Sequence, residues 1–172
     1  MSDIVIRPEL DGDRDSIEVI HREAFGRSEE AALVDELRLV TSTYISLVAA
    51  RGSALVGHIL FTPVHVGVDA DPSPWLVGLG PMAVTPAAQR VGVGSRLVRA
   101  GLSECRARKV DAVFVLGHPE LYPRFGFVPA HTLGFQFVSE AFADAFFVQE
   151  LQPGALVGLA GRVRYLPPFE AV

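Results

Sequence analysis

A strand, a helix and a second strand follow one another between residues 76 and 116, and this order constrains the fold more than any other feature of the sequence. Residues 76–84 and Ala112–Leu116, the fourth and fifth predicted strands of the chain, are apolar runs of strand length. Between them, residues 94–109 carry apolar side chains at helical spacing. Parallel strands cannot be joined by a tight hairpin and need a long crossover connection, which is usually a helix. A strand, helix and strand in succession is the pattern of such a crossover. The sequence therefore predicts a parallel strand pair.

The flanking segments predict antiparallel strands and shorter helices. Residues 44–50 and 55–68 are apolar runs separated by a turn at 51–53, which is the pattern of a hairpin, and Gly57 and Pro63 interrupt the second run. We expect an α/β (α+β) fold in which antiparallel strands lie on both sides of the parallel crossover. It would be a single domain of residues 1–172 with a mixed central sheet and helices on both faces. Further strands are predicted at 4–7, 135–138, 146–151 and 161–166, helices at 17–24, 29–38 and 120–125, and a loop at 69–74.

The charge and the cysteine content exclude several classes of function. The 172 residues carry a net charge of -5, without a run of lysines or arginines that would bind nucleic acid or an anionic membrane surface. No segment has the roughly twenty apolar residues of a membrane span, and the N-terminus lacks the pattern of a secretion signal. Cys105 is the single cysteine, so neither an internal disulfide nor a cysteine metal cluster can form. We therefore expect a cytoplasmic protein.

The strand over residues 76–84 is not an ordinary central strand. It contains Gly78, Gly80 and Pro81, and proline cannot donate a hydrogen bond to a neighbouring strand. We expect the fourth and fifth strands to splay apart there, which leaves backbone groups of the last residues of the fourth strand unpaired. Buried amides need a partner, and a ligand with its own amide groups would provide one. The residues concerned are Met82, Ala83 and Val84.

A glycine-containing turn follows this strand and leads into the helix. Its glycines permit positive φ and close backbone approach, and successive N–H groups at a helix N-terminus can hold a pyrophosphate without a lysine. A purely structural turn would use the same glycines. A P-loop would need Gly-Lys-Ser/Thr, and a dinucleotide fingerprint would need a third glycine where Leu97 stands, so both are excluded. The turn consists of Gln89, Arg90, Val91, Gly92, Val93, Gly94 and Ser95.

Two motifs resemble one enzyme family. The first is similar to the acetyl-coenzyme A motif of the GNAT superfamily of N-acetyltransferases and reads Leu79-Gly80-Pro81-Met82-Ala83-Val84-Thr85-Pro86, followed by Gln89-x-x-Gly92-x-Gly94. The second resembles the Tyr-x-x-x-Gly-Phe element after that family's fifth strand and reads Leu121-Tyr122-Pro123-Arg124-Phe125-Gly126-Phe127. Together with Gly117-His118-Pro119, this second motif is similar to the YhbS-like branch. On these motifs the chain is identified as a member of the superfamily.

The resemblance implies a cosubstrate and the residues that bind it. The cosubstrate would be acetyl-coenzyme A (acetyl-CoA), and no metal is expected. The pantetheine arm would pair with the splayed fourth strand, and the pyrophosphate would lie in the glycine turn. Many members carry an asparagine after the fifth strand, where this chain has residues 117–119. The expected cofactor-binding residues are Met82, Ala83, Val84, Gln89, Arg90, Val91, Gly92, Val93, Gly94, Ser95, Tyr122 and Phe125.

The resemblance also implies direct attack of a substrate amine on the thioester, with both substrates bound in one ternary complex. A backbone N–H near Met82 or Val84 would stabilise the oxyanion, and Tyr122 would protonate the departing thiolate as general acid. An aliphatic amine, with a pKa of about 10, is mostly protonated at neutral pH, so a base is expected to assist it. The candidate bases are Glu23, Glu29, Glu30 and His118. A non-catalytic interpretation of Glu29 and Glu30 is that they form a solvated first helical turn, where negative charge favours the helix dipole.

The remaining reactive side chains are expected to be structural. Cys105 lies on the apolar face of the long helix, where we expect it to pack. His58 and His65 fall within the third predicted strand and are expected at its surface. No spacing of His, Asp or Glu indicates a metal site.

Three hypotheses remain open from the sequence. The first is an acetyl-CoA-dependent N-acetyltransferase that acts on a primary amine of a small molecule or a protein. The second is a coenzyme A-binding regulatory module without catalytic activity, and the third is an interaction protein whose glycine turn is purely structural. The sequence does not identify the acceptor amine, because acceptor-binding loops vary freely within a fold. Both a monomer and a homodimer are compatible with it.

Overall fold

The computed structural model describes residues 3–67 and 74–172. Most of the predicted loop at 69–74 and the end of the third predicted strand at Val68 lie outside these residues. The strands are β1 (Ile4–Pro8), β2 (Ile45–Arg51), β3 (Ala54–Pro63), β4 (His65–Val66), β5 (Leu76–Val84), β6 (Ala112–Leu116), β7 (Val128–Pro129), β8 (Phe135–Gln136), β9 (Phe146–Glu150) and β10 (Gly161–Arg164). The α-helices are α1 (Arg14–Phe25), α2 (Glu29–Val40) and α3 (Val93–Ala107), and short 3-10 helices connect several of these elements.

The described chain divides into two compact units. The first contains residues 3–62, 80–103 and 167–172, and the second contains residues 63–67, 74–79 and 104–166. Strand β5 and helix α3 each contribute residues to both units. None of the helices in the described ranges is long and apolar enough to cross a membrane.

In the first unit, β1, β2 and β3 form an antiparallel arrangement. Helices α1 and α2 lie between β1 and β2 in the sequence and pack against each other. β2 pairs with β1 and with β3, and the register between β2 and β3 shifts between Ala49 and Ala50. This shift leaves Val56 as an extra residue in β3, immediately before Gly57. The buried side chains of α1 and α2 recur every three or four residues, as an amphipathic helix requires, and include Ile17, Ile20, Leu33 and Leu37.

Helix α3 approaches β3 closely because glycines line the contact. A Cβ atom at Gly57 would lie 2.9 Å from Leu97 Cδ1, and one at Gly101 would lie 2.4 Å from Phe61 Cζ. Phe61 and Leu97 are fully buried. The two glycines therefore allow the helix and the strand to pack at a distance that an alanine would not permit.

In the second unit, β5 and β6 are parallel, and β6, β9 and β7 continue the sheet in antiparallel pairs. A second, three-stranded sheet has the order β4-β10-β8. Its core is largely aromatic, since Phe114 lies edge-on to Phe135 and stacks with Phe146 at 5.7 Å. Val64, Leu76, Val148 and Val163 are buried in the same cluster.

The structure confirms the mixed α/β fold and the parallel pair around the helical crossover, and it corrects two details. The third predicted strand, 55–68, is divided at Val64 into β3 and β4, because Pro63 cannot donate a hydrogen bond to a continuous ladder. The C-terminal strands are not all antiparallel, since β10 pairs with β8 in parallel. Strand β7 has only two residues and no periodic pattern, and the sequence did not predict it.

Candidate functional site

The end of β5 extends beyond its partner. In the described residues, its pairing with β6 covers Leu76–Leu79, whereas β5 continues to Val84. Gly80 follows the last pair with φ of +143°, a backbone conformation that L side chains rarely adopt. Beyond it, Pro81 and Ala83 are buried while Met82 and Val84 are half-buried. The interruption of the ladder that the glycine and proline predicted is therefore confirmed, and the residues of β5 beyond Leu79 have no register partner in β6.

The glycine turn of residues 89–95 begins at Gln89, whose amide donates to the Pro86 carbonyl at 3.3 Å. Arg90 and Gly92 both have positive φ, +65° and +90°, and residues 89–92 are exposed. Helix α3 begins at Val93, and the amide of Arg96 donates to the Gly92 carbonyl at 3.1 Å. The amides of the residues before Arg96 precede this first helical hydrogen bond, as in any helix N-terminus. Alternating φ and a helix start together form an anion-binding backbone.

Gly94 has no reason within the protein to be glycine. It lies in the first turn of α3 with an ordinary helical backbone, and a Cβ there would meet Met82 Cε and Val84 Cγ2 at 3.9 Å, an ordinary contact distance. Gly92 differs, because its φ of +90° favours glycine although nothing lies within 4 Å of its Cβ position. Neither the backbone conformation nor a close contact within the protein therefore accounts for the missing side chain at Gly94.

The turn is fastened to the sheet by hydrogen bonds. The side-chain amide of Gln89 donates to the Val84 carbonyl at 2.9 Å, and the Thr85 amide donates at 2.9 Å to the carbonyl of Val56, the extra residue of β3. Gln89 was expected to bind the cofactor, but one side-chain N–H of Gln89 is used within the protein. The Gln89 side chain therefore links the start of the turn to the end of β5.

Tyr122 lies in the second unit, in the 3-10 helix Tyr122–Phe125 that follows β6. Its side chain is 6% exposed and packs edge-on against Phe127, with ring centroids 5.7 Å apart, and at a tilt against Phe147. Burial raises the pKa of Tyr122 to about 12, so the hydroxyl is protonated at neutral pH. Phe125, the other aromatic residue expected to bind the cofactor from this segment, is also buried. A protonated phenol in a rigid apolar setting can donate a hydrogen bond.

The candidate bases are distributed over both units. Glu23 and Glu29 are exposed on the helices of the first unit, and His118 is exposed in the second unit. Glu30 is 7% exposed, and both of its carboxylate oxygens accept hydrogen bonds from Arg27 Nε, at 3.0 and 3.1 Å. The solvated-turn interpretation therefore holds for Glu29 and is wrong for Glu30. The Glu30 carboxylate is therefore engaged within the protein, whereas the side chains of Glu23, Glu29 and His118 are exposed.

A buried polar chain in the first unit was not foreseen. His21 and His58 share a hydrogen bond of 2.8 Å, and the other ring nitrogen of His58 lies 2.8 Å from Ser46 Oγ. Ser46 in turn donates to Glu9, which also accepts from Arg38. His21 and His58 are fully buried, so the expectation that His58 lies at the strand surface is wrong, whereas His65 is exposed as expected.

Burial governs the protonation of this chain. It lowers the pKa of His21 to about 4 and that of His58 well below its usual value. The nearby Glu30 opposes the effect on His21, and Arg38 adds to it. The run Ile59-Leu60-Phe61 beside His58 was the available signal, because a strand that is apolar on both faces leaves no surface for a polar side chain.

Two further predictions concern the role of Cys105 and the binding of metal ions. Cys105 is fully buried, and burial raises the pKa of its thiol to about 12, which agrees with a packing role. Among the residues that the structure describes, no group of three His, Cys, Asp or Glu side chains could hold a metal ion.

Comparison with known proteins identifies the family. Residues 5–130 match the acetyltransferase (GNAT) domain. The chain is 34% identical over 168 residues to the uncharacterized N-acetyltransferase YhbS of Escherichia coli, covering 96% of this chain and 98% of that protein. It is 43% identical over 119 residues to the uncharacterized N-acetyltransferase YjhQ of Escherichia coli, covering 68% of this chain and 65% of that protein.

Solved structures show the same relationship. A crystal structure of YhbS from Escherichia coli in complex with CoA has a TM-score of 0.90 and 32% identity, covering 99% of this chain and 93% of that chain. A GNAT family acetyltransferase from Brucella melitensis in complex with acetyl-CoA has a TM-score of 0.79 and 30% identity, covering 98% of this chain and 99% of that chain. The protein belongs to the GNAT family of acetyltransferases.

Proposed function

We propose that the protein transfers an acetyl group from acetyl-CoA to a primary amine of a small molecule or a protein, by direct attack in a ternary complex. The observation that carries this proposal is Gly94, whose missing side chain has neither a conformational nor a packing reason within the protein. The crystal structures of YhbS with CoA and of the Brucella melitensis relative with acetyl-CoA support the identity of the cosubstrate.

The residues of the first unit fit the chemistry of acetyl-CoA. The N–H groups of residues 91–95 at the start of α3 would hold the pyrophosphate, and Arg90 beside them carries a positive charge. The backbone of Met82, Ala83 and Val84, which extends past the β6 pairing, would pair with the amides of the pantetheine arm. Bound acetyl-CoA supplies the acetyl group as a thioester, whose carbonyl carbon accepts the amine nitrogen as its bond to sulfur breaks.

Two groups of this chain would assist the transfer. A backbone N–H near Met82 or Val84 would stabilise negative charge that develops on the carbonyl oxygen. Tyr122 would donate its hydroxyl hydrogen toward the departing sulfur. Since a thiol has an ordinary pKa of about 8.5, below the pKa of about 12 of Tyr122, donation of a hydrogen bond is favoured over complete loss of the tyrosine proton. The overall reaction balances in protons: the amine nitrogen loses one proton as its bond to carbon forms, and the departing sulfur of coenzyme A gains one.

The amine must be neutral when it attacks. For an aliphatic amine at neutral pH, deprotonation costs roughly 4 kcal/mol. Glu23, Glu29 and His118 are exposed and remain candidates to accept this proton directly or through water, while Glu30 is engaged by Arg27. We propose no assignment among the exposed three.

A coenzyme A-binding regulatory module is the second candidate function. The observation that favours it is the state of the candidate bases, because the single buried carboxylate among the four is already neutralised by an arginine. Such a module would bind acetyl-CoA as tightly as the enzyme would, and would release no coenzyme A in the presence of amines.

The experiment that tests the proposal combines binding and turnover. Calorimetric titration with acetyl-CoA is expected to give micromolar binding to the wild type, and assays with a panel of primary amines are expected to release free coenzyme A thiol. A Gly92→Glu, Gly94→Glu double variant, checked for folding by circular dichroism, is the matched control. Absence of acetyl-CoA binding to the wild type would overturn both candidate functions, whereas binding without thiol release would favour the regulatory module.

Three wider properties belong to the same proposal. A single catalytic domain over residues 1–172 is supported by solved relatives that match 98–99% of the chain. A reducing compartment such as the cytoplasm suits a chain with one buried cysteine. The acceptor amine and the choice between monomer and homodimer are left to the amine panel and to sedimentation analysis.

A further inference from the structure

Gly117 occupies a position where no side chain fits. It follows the last residue of β6, and a Cβ built on its backbone would lie 2.3 Å from Tyr122 Cε2, 3.1 Å from Cδ2 and 3.2 Å from Cζ. Contacts of 3.4–4 Å are ordinary, so an alanine would require a displacement of more than about 1 Å in the tyrosine ring or the backbone. Its φ is not among the positive values, so packing is the reason for glycine here.

The ring of Tyr122 has little freedom to yield. Phe127 contacts it edge-on, and Phe147 contacts it with the planes inclined at 39° and centroids 6.4 Å apart. Both phenylalanines are buried. Tyr122 is therefore enclosed between two aromatic rings and the bare backbone of Gly117, and each of these contacts contributes to the position of the ring.

The backbone around Gly117 is also held. The Gly117 amide donates to the Ala145 carbonyl at 2.9 Å, and the Leu121 amide donates to the His118 carbonyl at 3.0 Å. The first bond anchors the exit of β6 beside β9, and the second closes the turn that leads to Tyr122. Because these bonds hold the backbone, a side chain added at residue 117 would press on the tyrosine ring and change the position of its hydroxyl.

We infer that Gly117 is a positioning residue for acetyl transfer, because its missing side chain sets the place of the Tyr122 hydroxyl. The atoms that face Gly117 include Cζ, which carries the hydroxyl, and its neighbour Cε2. Gly117 acts through the tyrosine ring and is not itself a catalytic residue. This inference rests on the proposed role of Tyr122 in the transfer.

The experiment uses four variants of the full chain: Gly117→Ala, Tyr122→Phe, their double variant, and Gly78→Ala as a matched control. A Cβ at Gly78 would lie 2.6 Å from Tyr165 Cε2, so Gly78→Ala presses on a different, half-buried tyrosine of the same unit. The kinetic constants are measured with acetyl-CoA and the amine that turns over fastest in the wild type.

A second readout is independent of activity. The chain has three tyrosines, so protein labelled with meta-fluorotyrosine is expected to give three fluorine NMR resonances, of which Tyr122→Phe removes one. We expect Gly117→Ala to shift the Tyr122 resonance and Gly78→Ala to shift that of Tyr165. Comparison of both spectra before and after addition of acetyl-CoA then shows whether the displaced ring still responds to the cosubstrate.

The kinetic expectation is specific. Gly117→Ala should lower kcat by about a hundredfold, the cost of misplacing a reacting group by about 1 Å. Its KM for acetyl-CoA should change by about twofold or less, because the glycine turn of residues 89–95 and the end of β5 are unchanged. In the Tyr122→Phe background, Gly117→Ala should cause no further loss of kcat, since the hydroxyl it positions is absent.

Each outcome separates the inference from the proposed function. If Tyr122→Phe lowers kcat but Gly117→Ala leaves both kcat and the Tyr122 resonance unchanged, the inference is overturned and the role of Tyr122 stands. If Tyr122→Phe leaves kcat unchanged, the role of Tyr122 is overturned, and a shifted resonance in Gly117→Ala would mark a purely structural contact. Should Gly117→Ala be too unstable, Gly117→Ala with Phe127→Leu provides space behind the ring, with Phe127→Leu as its reference.

Discussion

The glycine turn of residues 89–95 and the packed interior of the first unit use their residues in opposite ways. In the turn, Gly92 lies beside open space, a Cβ at Gly94 would make only ordinary contacts, and the available chemical groups are backbone amides. In the interior, Gly101 is pressed against Phe61, and His58 is fully buried in a chain of side-chain hydrogen bonds. The difference indicates that changes in the turn should act on ligand affinity, whereas changes in the interior should act on stability.

The largest expected effect concerns stability and pH in the interior. The folded protein keeps His21 neutral down to a pKa of about 4, while an unfolded histidine binds a proton near its usual value of 6.5. The folded pKa is depressed, so this contribution to stability is complete above about pH 6.5 and is lost as the pH falls toward 4. His21 alone should lower the free energy of unfolding by about 3 kcal/mol over that range. Urea denaturation at several pH values measures it.

Two histidine variants control this prediction. His65→Gln should retain the full pH dependence, because His65 is exposed, whereas His21→Gln should reduce it. A free energy of unfolding that is the same at pH 5 and pH 7 in the wild type would contradict the neutral, buried histidine pair.

The next effect concerns affinity at the turn. Gly94→Glu places a carboxylate where the pyrophosphate is expected, and should weaken acetyl-CoA binding by about a hundredfold through like-charge repulsion. Its melting temperature should stay close to that of the wild type, because a Cβ at Gly94 makes only 3.9 Å contacts. Titration calorimetry and thermal unfolding measure the two quantities, and unchanged affinity would show that the turn is structural.

The smallest effect compares two alanine substitutions in the same helix. Gly101→Ala should lower the free energy of unfolding by about 1–2 kcal/mol, because overpacking against Phe61 exceeds the gain of about 1 kcal/mol in helix propensity. Gly94→Ala should be neutral or stabilising and should weaken acetyl-CoA binding. If urea denaturation shows that Gly94→Ala lowers the free energy of unfolding more than Gly101→Ala does, Gly94 belongs to the packed interior and the distinction drawn between the two regions is wrong.

The parts of the candidate site that consist of backbone groups could be predicted from the sequence. The pattern Gly80-Pro81 predicted the end of the β5–β6 ladder, and the glycines at 92 and 94 predicted a turn at a helix N-terminus. Both follow from rules about φ and about missing N–H donors, which depend on a residue and its near neighbours. The family motifs around Met82 and Tyr122 are read in the same local way.

Other features depended on contacts that no local sequence pattern encodes. No sequence pattern near Gly117 predicts that this glycine accommodates the ring of Tyr122. No pattern near His58 predicts its hydrogen bonds to His21 and Ser46. The parallel pairing of β8 with β10 joins strands that are too short to show a period. Such features need side chains from several elements to meet.

The amino-acid sequence alone thus determined the order of the main strands and helices, the turn that can hold an anion, and the membership in an acetyl-CoA-dependent family. Each is encoded by local backbone preferences, apolar periodicity or short motifs. Tertiary structure alone decided the burial of Glu30 and His58 and the enclosure of Tyr122 against Phe147. These depend on packing, which brings together residues that the linear pattern leaves apart.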